Sequence, residues 1–120
     1  MSPGDVVLIA LTQFAGATPK LRPALLLAEL PGPYQNLLLC GISTQLHQLE
    51  AQWDELVQAS DADFTSSGLH HDSLIRLSYL HAADPNEITG VIGSIEPARL
   101  QRLRQRLSDQ IGRASCRERV

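Results

Sequence analysis

The order of apolar segments along the 120 residues predicts an α+β domain, a small curled antiparallel sheet capped by one C-terminal helix. Three observations carry this. Short runs rich in Val, Ile and Leu, separated by Gly- and Pro-containing turns, fill most of the chain. A stripe of Leu100, Leu103, Leu107 and Ile111, spaced by threes and fours, comes last. Hydrophobic residues make up 43% and aromatic ones 4%, so Leu, Ile, Val and Ala must fill one core of the size this length allows.

The elements follow in order. Pro3-Gly4-Asp5 signals a turn into a strand from Val6 to Leu11. Thr12 to Pro19 reads as a loop, and Arg22 to Leu30 as a second strand, apolar almost throughout. Pro31-Gly32-Pro33 ends it, because proline has no amide for the ladder. Leu37 to Ile42 is a third strand, which makes the first three an antiparallel meander. Leu46 to Ser67 is polar: Leu49, Trp53, Leu56 and Val57 fit one face of a short helix, while Trp53 to Val57 also fits a short strand. A partly ordered connection with one strand is expected there. Ser67-Gly68 turns into a strand from Ser73 to Leu80. Asp84-Pro85 caps one short helical turn. A last strand runs from Ile88 to Ile95, with Gly90 and Gly93 where backbones approach closely or bulge. The helix spans Glu96 to Ile111, with Pro97 in its first turn and Arg99, Arg102 and Arg106 on the faces away from the stripe. Gly112 to Val120 lacks periodicity and reads like vector-encoded sequence. The expected organisation is one domain, 1–111, followed by an appended tail, 112–120.

Composition narrows the function classes. No apolar run approaches the ~20 residues of a membrane span, and no basic segment with a long apolar stretch opens the chain. A cytoplasmic location is expected. Cys40 follows Leu37–Leu39 in an apolar run, where a thiol behaves as a small hydrophobe, and Cys116 lies in the tail. Neither a disulfide framework nor a metal site follows. The formal charge is −3, and setting aside the tail, with three arginines against one glutamate, makes it −5. Such a balance argues against broad attraction to nucleic acid. Before Arg76 the only basic side chains are Lys20 and Arg22. Positive charge in the body is scarce and local.

The sequence contains no P-loop, dinucleotide-binding glycine fingerprint, HExxH motif or close cysteine pair. His70-His71 are adjacent and diverge in a strand or loop, so a solvated loop is expected rather than a metal site. Three features remain. Lys20-Leu21-Arg22-Pro23 brings a guanidinium to the mouth of an apolar strand, where its fork of donors suits a phosphate. Ser43-Thr44-Gln45 ends the third strand with two hydroxyls and an amide, and Arg76 stands between Ile75 and Leu77 on the opposite face. In a meander the start of strand two and the end of strand three share an edge, so Arg22 and Ser43 can converge on one ligand. Taken singly, such an Arg commonly pairs with a surface carboxylate, and Ser-Thr commonly caps a turn. The residues alone leave both readings open.

The runs GDVVLI (Gly4–Ile9), LRPALLL (Leu21–Leu27), LLLCGISTQ (Leu37–Gln45), SGLHHDSLIRLSYL (Ser67–Leu80) and TGVIGSI (Thr89–Ile95), followed by the helix, resemble the PemK/MazF toxin family in the same order. The resemblance spans Gly4 to about Ile111, and Arg-Pro-Ala at the strand entry is its most specific element. It implies a small SH3-like β-barrel of the CcdB/MazF type with a C-terminal helix, usually a symmetric homodimer. It implies a metal-independent, cofactor-free, sequence-specific endoribonuclease acting on single-stranded RNA or mRNA and neutralised by a cognate antitoxin with an acidic tail. Carried over residue by residue, the catalytic set is Arg22, Ser43 and Arg76, with Ser43 standing where relatives have threonine. Lys20, Thr44, Gln45, Ser78 and His81 are the corresponding RNA contacts. Relatives that use the Arg76 equivalent carry an aspartate two residues later, where this chain has Ser78. His81, in the same segment, is an imidazole that can accept a proton near neutral pH, and Asp72 is a second, weaker candidate. The alternative reading is a barrel that binds antitoxin with impaired catalysis.

Overall fold

A computed structural model describes residues 1–11 and 20–118, without the side chains of residue 11 and residues 113–118. Six strands form one sheet: β1 (Asp5–Leu11), β2 (Lys20–Glu29), β3 (Leu37–Ser43), β4 (Glu55–Val57), β5 (Ser73–Ala83) and β6 (Ile88–Ser94). Two α-helices accompany them, α1 (Phe64–Ser67) and α2 (Pro97–Glu118). Every pairing is antiparallel and the order is β4-β5-β3-β2-β1-β6. The meander of β1, β2 and β3 is as the apolar runs predict. The loop expected at Thr12–Pro19 lies outside the described residues.

The β2 run Ala24–Leu27 is buried throughout because both of its faces are covered. Leu25 and Leu27 join Val6, Cys40, Ile42, Ile75 and Leu77 in a core that includes Leu103 and Leu107 of α2. Ala24 and Leu26 point the other way, into a second cluster with Val7, Ile9, Leu37, Leu39 and Ala83, packed against Ile88. That cluster draws on five strands, so a curled sheet buries it by folding toward itself. Burying each of the two α2 leucines stabilises the fold by about 1.5–3 kcal/mol.

The curl does not become a closed ladder. β4 and β6 are the edges of the hydrogen-bonded order, so the structure is an open six-stranded sheet with a C-terminal helix. The segment after β4 lies against β6 instead. Ser66 Oγ donates to the Ser94 carbonyl at 3.0 Å, and a Cβ at Gly93 would collide with the Ser66 carbonyl and the Ser67 backbone. Gly68, at φ 77°, gives the matching approach to Ile92, where a Cβ would meet the Ile92 carbonyl. The close approach expected at Gly93 is therefore real, whereas Gly90 faces open space and meets the bulge alternative, a register shift separating Leu8–Gly90 from Ile9–Ile88.

Other expectations are corrected in detail. Leu46–Ser67 contains the strand alternative, shortened to Glu55–Val57, rather than a helix through Leu49 and Trp53. It also holds a 3-10 turn at Leu46–Gln48 and the four-residue α1, which is too short to show a period. Pro85–Glu87 forms the expected short turn, and the Asp84 side chain accepts from the Asn86 amide at 2.8 Å. Helix α2 runs to Glu118 rather than stopping at Ile111, which is 52% exposed and falls outside the core. Arg99 does not lie on an outer face. It is 7% exposed and donates to Asp63, Asp61 and Glu55 at 2.7–3.0 Å, so the carboxylates around β4 and α1 draw it inward.

Candidate functional site

The meander positions the site. Ala24 of β2 pairs with Gly41 of β3, so the start of β2 runs alongside the end of β3. Arg22, Ser43, Thr44 and Gln45 accordingly line one cavity of about 960 Å³. Arg76 and His81 of β5 line it too, together with Tyr79, Gln48, His70 and His71. Six of the eight residues singled out in the sequence thus share one concavity.

Each side chain has a distinct setting. Arg22 is exposed, and Pro23 after it lies opposite Leu8 in the ladder. Among the described residues Arg22 has no ion pair, unlike Arg76, Arg99, Arg102 and Arg106. Ser43 Oγ accepts the Gln45 amide at 3.0 Å, a turn-capping bond that fixes the hydroxyl and leaves its proton to donate elsewhere. Arg76 pairs with Gly41 and donates through Nη1 to Gln48 Oε1 at 3.3 Å. His81 Nε2 lies 3.1 Å from Glu87 Oε2, which orients the imidazole at the cavity wall. His70 and His71 are exposed, as the solvated reading expects, but they border the cavity.

The other two of the eight are not brought into the concavity. Lys20 begins β2 opposite Leu11, two residues before Arg22 and on the same strand face. Ser78 turns away, its amide and hydroxyl donating to Asp54 Oδ1 at 3.2 and 2.9 Å. A bulge causes this: Arg76 pairs with Gly41 and Leu80 with Cys40, leaving Leu77, Ser78 and Tyr79 as an excursion of β5. The same excursion lays the Tyr79 ring over Gly41, where a Cβ would sit 3.2 Å from Tyr79 Cδ1. Asp72, the weaker candidate base, accepts from the Ala59 amide at 2.8 Å and does not line the cavity.

Sequence reasoning missed Asp54, Gln48 and Tyr79. Asp54 and Gln48 lie in the stretch without period, and Tyr79 reads as an ordinary strand residue until the bulge redirects it. Cys40 forms part of the wall but is inert. Burial pushes its thiol far up, and the nearby Asp54 carboxylate adds to the shift. Among the described residues no cluster of His, Cys, Asp or Glu has the arrangement of a metal site, and no helix is long and apolar enough to cross a membrane. What the cavity offers is two guanidiniums, hydroxyl and amide donors, imidazoles and an exposed aromatic face. These are groups for a polyanion with planar substituents.

No match was found among curated proteins. The family described as PemK-like, MazF-like toxin of type II toxin-antitoxin systems matches residues 2–111, and the chain belongs to that family.

Proposed function

We propose that this toxin-family chain is a metal-independent, sequence-specific endoribonuclease that cleaves single-stranded RNA and is held inactive by a cognate antitoxin. The observation that carries the reading is the convergence of Arg22, Ser43 and Arg76 on one cavity bordered by Tyr79 and His81. Backbone charge and unstacked bases are the two features by which single-stranded RNA is held.

The reaction is an internal transesterification. The 2′-hydroxyl loses its proton and attacks the adjacent phosphorus, and the bond to the 5′-oxygen breaks as that oxygen gains a proton. The products are a 2′,3′-cyclic phosphate and a 5′-hydroxyl. Arg22, exposed and without a partner among the described residues, stabilises the phosphorane charge. Ser43 donates its hydroxyl proton to a phosphate oxygen while Gln45 holds the oxygen in place. Arg76 protonates or neutralises the leaving oxygen. His81, oriented by Glu87, is the imidazole of the wall that we assign as base for the 2′ proton. Thr44, Gln45 and Tyr79 hold flanking nucleotides, and Lys20 meets the backbone beyond the cavity. An antitoxin with an acidic segment would compete for the same cations. The family's usual homodimer would extend the groove across two copies.

The test is cleavage of a long single-stranded RNA in chelator, with end-group analysis. Wild type should leave cyclic phosphate ends, and Arg22→Ala should lower kcat/KM by at least about 100-fold, the loss expected when a transition-state charge contact is removed. An unchanged melting temperature would show that the loss is chemical. Equal cleavage by the variant removes Arg22 from the mechanism. No cleavage by wild type, with antitoxin binding retained, favours an interaction module instead.

A further inference from the structure

Asp54 is the most enclosed charged group near the cavity, its side chain 0% exposed. It sits one residue before β4 and does not line the cavity. Three donors hold it: the Glu50 amide to Oδ2 at 3.1 Å, and the Ser78 amide and hydroxyl to Oδ1 at 3.2 and 2.9 Å. Arg76 Nε lies 3.8 Å from Oδ2, is itself fully buried, and has no hydrogen-bond partner among the described residues. An ionised carboxylate is costly to enclose, and a neutral amide of the same shape would meet the Ser78 donors with less desolvation. A full negative charge at this place is explained by the cation in front of it.

We infer that Asp54 is a positioning residue for Arg76: a fixed buried carboxylate, locked by Glu50 and the β5 bulge at Ser78, that aims the guanidinium into the cavity. Asp54 draws the Nε side by charge at 3.8 Å while Gln48 accepts from Nη1 at 3.3 Å, so the side chain is biased at two points before any ligand arrives. Arg76 keeps 26% of its side chain exposed, on the cavity. The bulge has a purpose in this arrangement: it points the Ser78 amide and hydroxyl at the carboxylate. The catalytic consequence rests on the nuclease reading, but the placement of Arg76 does not.

Two measurements test it. In the first, cleavage is compared for wild type, Asp54→Asn, Arg76→Ala and the double variant. Misplacing a reacting group by about 1 Å can cost up to about 100-fold, so Asp54→Asn should lower kcat by about 10–100-fold with little change in KM. In the Arg76→Ala background it should cost nothing more. An equal cost in both backgrounds would show a merely structural role and overturn the inference. In the second, the Arg76 Nε–H resonance, identified by its absence in Arg76→Ala, should exchange slowly in wild type and at least about 10-fold faster in Asp54→Asn. An unaltered resonance overturns the inference whether or not RNA is cut, whereas inactivity of wild type on RNA rejects only the nuclease reading. If Asp54→Asn does not fold, Ser78→Ala removes one tether and keeps the carboxylate. It should show the same dependence on Arg76 at a few-fold scale, and additivity there would overturn the inference too.

Discussion

Replacing Arg99 by methionine should destabilise the protein more than truncating either cavity arginine, Arg22 or Arg76. Arg99 uses all five of its donors: Nε and Nη2 to the two oxygens of Asp63 at 2.8 and 3.0 Å, Nη2 to Asp61 at 3.0 Å, and Nη1 to Glu55 at 2.7 Å and to the Leu56 carbonyl at 3.4 Å. Glu55 retains Arg102 and Arg106 in the variant, but Asp63 retains only the Glu96 amide, and its side chain is 1% exposed. Leaving a buried charge unpartnered costs about 3–5 kcal/mol, which at this chain length lowers Tm by roughly 10–20 °C. The pH dependence is diagnostic. Burial pushes Asp63 and Glu55 upward, yet the arginines outweigh it and hold both carboxyls below their ordinary values. Their contribution is present above the ordinary carboxylate range and is lost as pH falls through the lowered values. In Arg99→Met burial acts on Asp63 without the guanidinium, so its pKa rises and acid relieves the strain. The gap between wild type and variant should therefore shrink as pH falls from 7 toward 4. Denaturant unfolding across that range measures it. A gap under about 1 kcal/mol at pH 7, or one that stays constant with pH, would refute the reasoning.

Two further outcomes are expected. Tyr79→Ala should weaken binding of a non-cleavable single-stranded RNA by about 1–3 kcal/mol, the worth of one base stacked on an aromatic ring, while Tyr79→Phe retains it; equal affinity for all three proteins, measured by fluorescence anisotropy, would reject a stacking role. Gly93→Ala should cost about 1–3 kcal/mol because its methyl meets the Ser66 and Ser67 backbone, whereas Gly90→Ala, facing open space, should stay within about 0.5 kcal/mol, both read from denaturant midpoints.

What the sequence made legible was what period and punctuation encode. The meander followed from three apolar runs and a Pro-Gly-Pro break, and with it the meeting of Arg22 and Ser43. The register was not legible: a bulge between Leu26 and Ala28 shifts the pairing that starts at Glu29 and Leu37, and only then does Ala24 come opposite Gly41. Nor was closure. Whether β4 meets β6 depends on the segment between β4 and β5, whose Gly68, with Gly93 of β6, lets two backbones approach without strand pairing. No run of side chains announces that contact.

The site divides along the same line. Cations carried on regular strands were visible because they interrupt apolar runs, as Arg22 and Arg76 do. Side chains whose partners lie far along the chain were not. Asp54 lies in a stretch without period, and Arg99 sits beside the apolar stripe at a position where a solvated face is the ordinary expectation. Both depend on partners 22 to 44 residues away, chosen by topology rather than by local pattern. Read against relatives, Ser78 is a missing carboxylate. In the fold, its amide and hydroxyl hold the carboxylate of Asp54 behind the same arginine. The charge absent from the strand is present in space, on a different element, and a reading confined to one strand's sequence had no means of finding it.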